Sequence, residues 1–311
     1  MQIYRNFKGL PADLQGAAIA IGNFDGVHRG HQAVINEAGR LARADQRPWA
    51  VLTLEPHPRQ IFQPDTEPFR LTPGPAKERL IAELDVDHLI VLTFDREFSQ
   101  REAEGFVTDI LIGACGAHHV VSGYDFAFGQ GRKGNCELLL KMGQDLGFGF
   151  TAVQAVQDEL GGVYSSTRIR ECLVAADPKG AAQILSRPFE IEGIVEKGDA
   201  RGRQIGFPTA NVALGDYLRS AQGVYAVKVG IYTGSETVWH NGVANLGSRP
   251  TFDGKSVLLE AHVFDFEGDL YGQTLRVALI DYVRAEKKFD GIDSLKAQIA
   301  ADSERAKEIL R

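Results

Sequence analysis

The segment from Gly22 to His31 constrains the fold of this chain more than any other stretch. It reads Gly-Asn-Phe-Asp-Gly-Val-His-Arg-Gly-His, an apolar run over 17–21 leads into it, and a helix is predicted over 32–43. Its glycines allow a tight turn, and the first N–H groups of a helix have no partner within the helix, so they can bind an anion. The segment therefore predicts a strand, a phosphate-binding turn and a helix start.

Two histidines in this segment are candidates for the phosphate site. His28 and His31 are three residues apart, so at a helix start they share one face and can converge on the same oxygens. A plainer interpretation is that two exposed histidines simply flank the helix start. Both interpretations are open at this point.

The rest of the N-terminal half alternates between strand and helix patterns. Short apolar runs lie at 49–54, 88–94, 118–121 and 150–156, and helical patterns lie at 76–84, 103–112 and 135–146. Strands that alternate with helices form βαβ units, so we expect an α/β domain with a mostly parallel, Rossmann-like sheet. Ligands of such sheets bind at the carboxyl ends of the strands.

Three later stretches follow predicted strands and are candidates for the same site. They are Glu-Pro-His-Pro-Arg at 55–59, Gly-Tyr-Asp-Phe-Ala-Phe-Gly at 123–129, and Ser-Ser-Thr-Arg-Ile-Arg at 165–170. The first two are equally consistent with a proline-ended loop and a packed loop. The third places Arg168 and Arg170 in a first helical turn, where the helix dipole disfavours positive charge, and a bound anion there would remove the conflict.

The pattern changes between 176 and 187. Beyond it, period-two alternation predicts strands over 189–197, 223–232, 237–245, 257–266 and 274–283, followed by an amphipathic helix over 292–310. Successive strands separated by glycine-rich turns predict a small antiparallel β-barrel. We therefore expect two domains, residues 1–183 and 184–311.

Two features of the C-terminal half are candidates for a metal site and a catalytic base. Thr209 and Asn211 are separated by one residue in an extended segment, so their neutral oxygens would point to the same side and suit Mg²⁺. Glu260 shares a strand face with His262, opposite the apolar face of that strand, and could accept a proton if the face lines a ligand. The plainer interpretations are a glycine-rich connection and a solvated strand face.

The N-terminal motifs resemble the nucleotidyltransferase half of the bacterial bifunctional riboflavin kinase/FAD synthetases. The resemblance implies that His28, His31 and Arg168 bind the phosphates of ATP and stabilise the transition state of adenylyl transfer to FMN. It also implies a set of nucleotide or flavin contacts, namely Gly22, Asn23, Phe24, Asp25, Gly30, Asp125, Ser165, Ser166 and Thr167.

The C-terminal motifs resemble the riboflavin kinase half of the same family. They include Gly-Phe-Pro-Thr-Ala-Asn at 206–211, Asn-Leu-Gly-Ser-Arg-Pro-Thr-Phe at 245–252 and Glu-Ala-His at 260–262. The resemblance implies that Glu260 is the catalytic base for the ribityl hydroxyl and that Thr209 and Asn211 are Mg²⁺ ligands. Cofactor contacts would come from Gly198, Arg203, Gly206, Phe207 and Pro208.

The composition of the chain limits the classes of partner that it is expected to bind. The net charge of −7 offers no basic face for nucleic acid, and no long apolar stretch follows the N-terminus, so we expect a cytoplasmic protein without membrane or nucleic-acid partners. The three cysteines lie far apart and are interpreted as packed thiols. The expected partners are riboflavin, FMN and ATP with Mg²⁺, and both a monomer and weak self-association stay open.

Three other functions compete with this interpretation. The N-terminal domain could adenylylate another phosphate, or belong with aminoacyl-tRNA synthetases that share a His-x-Gly-His motif, although the sequence contains no Lys-Met-Ser-Lys-Ser signature. The sequence also contains no P-loop motif, which argues against a Walker-type nucleotide site. A nucleotide-binding regulator without catalysis is the third alternative, and the competent residue at every proposed catalytic position favours an enzyme.

Overall fold

Residue contacts divide the chain into two units. The structure is a computed structural model that describes residues 1–197, 206–234, 236–251 and 254–311. The first unit comprises Met1–Thr66 and Thr72–Ser165, and the second comprises Glu67–Leu71 and Ser166–Arg311. Two predicted cofactor contacts, Gly198 and Arg203, lie outside the described residues.

The first unit contains a six-stranded parallel sheet, as the alternation of strand and helix patterns predicts. Its strands are β1 (Gln2–Tyr4), β2 (Ala18–Ile21), β3 (Trp49–Glu55), β4 (His88–Thr93), β5 (His119–Gly123) and β6 (Gly149–Val153). Their spatial order is β1-β4-β3-β2-β5-β6. The chain builds to one side of β2 and then crosses to its other side, and such a switch point opens a crevice at the carboxyl ends of the strands.

Helices cover both faces of this sheet because alternate strand residues point to opposite faces. The helices are α1 (Arg29–Ala44), α2 (Pro58–Phe62), α3 (Gly74–Ala82), α4 (Ala103–Gly105), which continues into a π-helix over Phe106–Ala114, and α5 (Cys136–Leu146). Ala18 and Ala20 belong to the core cluster that contains the buried residues of α1 and α3. Ile19 and Ile21 belong to the cluster that contains those of the π-helix.

In the second unit, six strands among the described residues close an antiparallel barrel, so both predicted fold classes are confirmed. The strands are β7 (Phe189–Glu196), β8 (Ala210–Ala213), β9 (Gly223–Tyr232), β10 (Thr237–Thr251), β11 (Gly254–Val263) and β12 (Thr274–Arg284). Helices α6 (Ser166–Val174) and α7 (Pro178–Leu185) precede the barrel. The C-terminal helix, Ile292–Leu310, packs against β9, β10 and β12.

Some elements differ from the sequence prediction. Strands β1 and β8 were not predicted, because three and four residues are too few to show an alternating pattern. Helix α7 was also missed, in the region where only a change of pattern was noted. Strand β10 continues past its predicted end at 245, because glycine at 247 and proline at 250 resemble a turn in sequence although the ladder to β11 continues through them.

The close approach of α1 to β3 gives a testable consequence. A Cβ atom on Gly39 of α1 would lie 2.7 Å from the Trp49 indole, whereas one on Gly105 would meet no atom closer than 3.9 Å. Gly39→Ala gains about 1 kcal/mol of helix propensity but overpacks the core at a cost of about 1–3 kcal/mol. We expect denaturant unfolding to show a lower free energy of unfolding for Gly39→Ala and no loss for Gly105→Ala. Equal stability of the two variants would contradict this packing argument.

Candidate active sites

The loop between β2 and α1 has an uncommon backbone conformation. Strand β2 is fully buried and ends at Ile21. Within the loop, φ is positive at Phe24 (49°), Gly26 (95°) and Val27 (43°). Positive φ is costly for residues other than glycine, especially β-branched ones, at about 1–3 kcal/mol each, and such residues cluster at active sites. The sequence predicts a turn here, and the structure shows that two residues with bulky side chains, Phe24 and Val27, adopt the strained backbone beside the glycine.

Thr72 holds this loop through two buried hydrogen bonds. Its amide N donates to Asp25 Oδ1 over 3.0 Å, and its Oγ1 accepts from the amide of Gly26 over 2.8 Å. The Asp25 side chain is only 3% exposed. Asp25 thus shapes the loop, while its predicted contact with nucleotide or flavin stays a prediction.

Phe24 and Gly22 fit together. The Phe24 side chain is buried in the core cluster on the α1 side of the sheet. A Cβ atom on Gly22 would lie 2.9 Å from that ring, so glycine is required for this packing. The side chain of Asn23 is exposed, but its carbonyl oxygen faces inward and accepts from Lys77 Nζ over 3.1 Å.

The structure brings the two candidate histidines together at the N-terminus of α1. His28 caps this helix, since its Nδ1 accepts from the amide of His31 over 3.3 Å. The two rings stack with centroids 3.6 Å apart and planes 20° apart, and the Phe24 ring packs edge-on against His31 at 5.4 Å. A Cβ atom on Gly30 would lie 3.1 Å from the His28 ring, so glycine is needed beside the pair.

The other predicted residues of this site lie in several places. Asp125 is exposed in the turn after β5, the strand beside β2, so it lies at the same edge of the sheet as the β2–α1 loop. Ser165 ends the first unit, whereas Ser166, Thr167 and Arg168 open α6 in the second unit. The assignment of Arg168 to the phosphates at the two histidines therefore stays a prediction.

The second candidate site lies on the barrel face that packs against the C-terminal helix. Cross-strand partners in a sheet share a face. Glu260 on β11 is in register with Asn211 on β8 and with Asn245 on β10, so three polar side chains form one row. The alternation predicted for β11 is confirmed, because Leu259 and Ala261 are buried while Glu260 is half-buried.

A cavity of about 680 Å³ opens over this row. Its lining includes Thr209, Asn211, Asn245, Glu260, His262, Arg284, Phe289 and Asp302. His262 Nδ1 lies 2.8 Å from the carbonyl oxygen of Pro208, and its ring packs edge-on against Phe207 at 5.5 Å. The face of Glu260 therefore lines a cavity large enough for a ligand of several rings, rather than a fully solvated surface.

One oxygen of a residue that lines this cavity suggests a cation ligand. Among the residues that the structure describes, Asn211 Oδ1 is buried and has no hydrogen-bond partner. Buried polar atoms are nearly always satisfied, so an unsatisfied one indicates an absent water, ion or ligand. Thr209, half-buried two residues earlier, lines the same cavity. Two neutral oxygens suit Mg²⁺, which prefers hard oxygen ligands.

Sequence reasoning missed residues that support both sites. Lys77 occupies an apolar stripe of α3 with Leu80 and Ile81, and a lysine at such a position was the available signal. Asn245 begins the motif at 245–252 but was not predicted as a site residue. Its Nδ2 donates to Glu286 Oε1 over 3.4 Å. Thr72 gives no signal in the sequence, because its loop partners are 46 and 47 residues away.

Together the two units define a class of protein: a nucleotidyltransferase-like α/β domain with a parallel sheet and a strained loop at a helix N-terminus, joined to a β-barrel that carries a cavity of its own. Residues 10–168 match the family model of FAD synthetase, and residues 185–310 match that of riboflavin kinase. The chain belongs to the family of bifunctional riboflavin kinase/FMN adenylyltransferases. It combines both activities, with the FAD synthetase N-terminal and the riboflavin kinase C-terminal, which confirms the resemblance drawn from the motifs.

Relatives from several bacteria are similar over nearly the full length. The bifunctional riboflavin kinase/FMN adenylyltransferase of Escherichia coli K12 is 41% identical over 310 residues, covering 99% of this chain and 97% of that protein. The protein of the same name from Haemophilus influenzae is 39% identical and covers 99% of this chain and 98% of its own length.

A solved structure is similar throughout. It is described as a macrolide-efflux protein from Streptococcus pneumoniae, is 33% identical, covers 98% of each chain and has a TM-score of 0.83. Within the described part of this chain, no helix is both long and apolar enough to cross a membrane.

The two bonds of Thr72 predict a local stability effect. Thr72→Val removes the acceptor of the buried Gly26 amide, and an unsatisfied buried donor costs about 1–3 kcal/mol. We expect a lower free energy of unfolding and faster hydrogen exchange at the Gly26 amide. Thr66→Val, at an exposed hydroxyl that donates to the Gln63 carbonyl, is the matched control. Indistinguishable results for the two variants would show that the Thr72 hydroxyl does not hold the loop.

Proposed function

We propose that the β2–α1 loop is the site of adenylyl transfer. A phosphate oxygen of FMN attacks the α-phosphorus of ATP, the bond to the β-phosphate oxygen breaks, and pyrophosphate leaves. FMN is already anionic at its phosphate, so the protein needs mainly to align the two phosphates and neutralise charge. The stacked His28 and His31 at the N-terminus of α1 support this role, since their N–H groups and the helix amides can donate to phosphate oxygens. Arg168 would add positive charge.

The barrel cavity is proposed as the site of riboflavin phosphorylation. Glu260 takes the proton of the ribityl 5′-hydroxyl as that oxygen attacks the γ-phosphorus of ATP, and ADP leaves. The observation that carries this assignment is the half-buried carboxylate in a row with Asn211 and Asn245, beneath a cavity of about 680 Å³. Gly206, Phe207 and Pro208, which precede β8, are proposed to contact the nucleotide.

Thr209 and Asn211 are proposed to hold Mg²⁺, because Asn211 Oδ1 is buried and has no hydrogen-bond partner among the described residues. The ion would neutralise charge on the ATP phosphates when bound.

A domain boundary at 183/184 is consistent with the two family matches, which end at 168 and begin at 185. A cytoplasmic location and the absence of nucleic-acid and membrane partners stay predictions from the sequence.

Two reciprocal variants test the assignment of the sites. We expect His28→Ala to stop FAD formation while riboflavin is still converted to FMN, and Glu260→Ala to stop FMN formation while supplied FMN is still converted to FAD. Each variant retains one activity, which serves as its folding control. The measurement is a chromatographic time course of flavins with riboflavin or FMN, ATP and Mg²⁺. Equal loss of both steps in either variant would contradict the division.

The cation site is tested through the metal dependence of the kinase. Asn211→Ala removes the buried oxygen, and we expect the Mg²⁺ concentration for half-maximal FMN formation to rise at least about tenfold. FAD formation by the same variant should keep its Mg²⁺ dependence. Asn241→Ala, at an exposed asparagine of β10, is the matched control. An unchanged Mg²⁺ requirement in Asn211→Ala would refute the assignment.

A further inference from the structure

Lys77 is a fully buried lysine beneath the β2–α1 loop, with a relative exposure of 0%. Its Nζ donates to the carbonyl oxygens of Asn23 (3.1 Å) and Leu54 (3.2 Å) and to Thr53 Oγ1 (3.1 Å), and it pairs with Glu55 Oε1 at 2.6 Å. Asn23 follows β2, and the other three residues end β3. One ammonium group therefore joins the carboxyl ends of two neighbouring strands at the edge where the candidate site lies.

General stability does not explain this lysine. Burying an ammonium is costly even when it is paired, and a well-packed apolar side chain in its place is often neutral or stabilising. Lys77 shares the buried face of α3 with Leu80 and Ile81, so an apolar residue would suit the position by pattern. The best-attested use of a buried ionic group is to fix one arrangement of the chain.

The Asn23 carbonyl that Lys77 holds lies at the start of the strained loop. Thr53 Oγ1 also donates to the Asn23 carbonyl, over 3.3 Å, so two donors fix that oxygen. The next residue, Phe24, has a φ of 49°, and four residues further on His28 caps α1. Fixing the Asn23 carbonyl orients the peptide plane from which the loop departs. Without the ammonium, the first residues of the loop could relax their positive φ values and displace the two histidines.

We propose that Lys77 is a positioning residue for FMN adenylylation. Its ammonium holds the Asn23 carbonyl, so that the β2–α1 loop keeps the histidine pair correctly positioned against the reacting phosphates. Lys77 does not itself touch the substrates. The proposal rests on the assignment of this loop to adenylyl transfer.

The test compares Lys77→Met with Arg79→Met in the full-length enzyme. Both remove one positive charge from α3, and Arg79 pairs with Glu83, four residues further along the chain. Because misplacement of about 1 Å can cost about 10²-fold in rate, we expect kcat for FAD formation to fall about a hundredfold in Lys77→Met only. FMN formation by the same molecules should stay within about twofold of the wild type. Hydrogen exchange should accelerate at the amides of residues 22–28 and not at β4 or β5.

Two outcomes would overturn the proposal. The first is an unchanged kcat for FAD formation in Lys77→Met. The second is faster hydrogen exchange across the whole sheet, together with a loss of FAD formation equal to the fraction of the variant that is unfolded. If Lys77→Met does not fold, Lys77→Gln, whose uncharged amide is less costly to bury, is measured in the same way and judged by the same results. His28→Ala distinguishes failure of the site assignment from failure of the role of Lys77. If His28→Ala retains FAD formation, the assignment of the loop to adenylyl transfer is wrong. If His28→Ala loses FAD formation while Lys77→Met has normal activity, only the role of Lys77 is overturned.

Discussion

The adenylyl-transfer half depends on the conformation of four residues between a buried strand and a helix. Residues 24, 26 and 27 all have positive φ, and only one of them is glycine. Such a backbone persists only where its surroundings hold it. Here Thr72 bonds to the middle of the loop, and Lys77 and Thr53 bond to its beginning. The conformation of the candidate loop is therefore fixed by residues outside the segment from Gly22 to His31.

The kinase half is built on a different principle. Its polar row needs no strained backbone, because the antiparallel register alone places Asn211, Glu260 and Asn245 side by side on one face. The opposite faces of these strands are apolar and buried, so a shift of one residue would exchange the polar and apolar sets. The hydrophobic interior of the barrel thus fixes the position of the carboxylate outside it.

Much of this arrangement could be predicted from the sequence because its signals are local. The stacking partners His28 and His31 are three residues apart, and the alternation around Glu260 is visible within five residues. Thr72, Lys77 and Asn245 act through partners distant in sequence, and no periodicity reveals such pairings. Strand β8 was missed because it is short, whereas Asn211 within it was proposed as a site residue from its motif, which does not depend on the strand pattern.

The path of the chain bears on how such a fused enzyme could be divided. Residues Glu67–Leu71 belong to the second unit although the segments on both sides of them belong to the first. Arg70, which is buried, donates its amide to the carbonyl of Asp216 and accepts from the amide of Leu218. A single cut near residue 184 would leave these backbone groups without their partners. Chains divided at that one point would therefore separate Glu67–Leu71 from the residues of the second unit with which they pair.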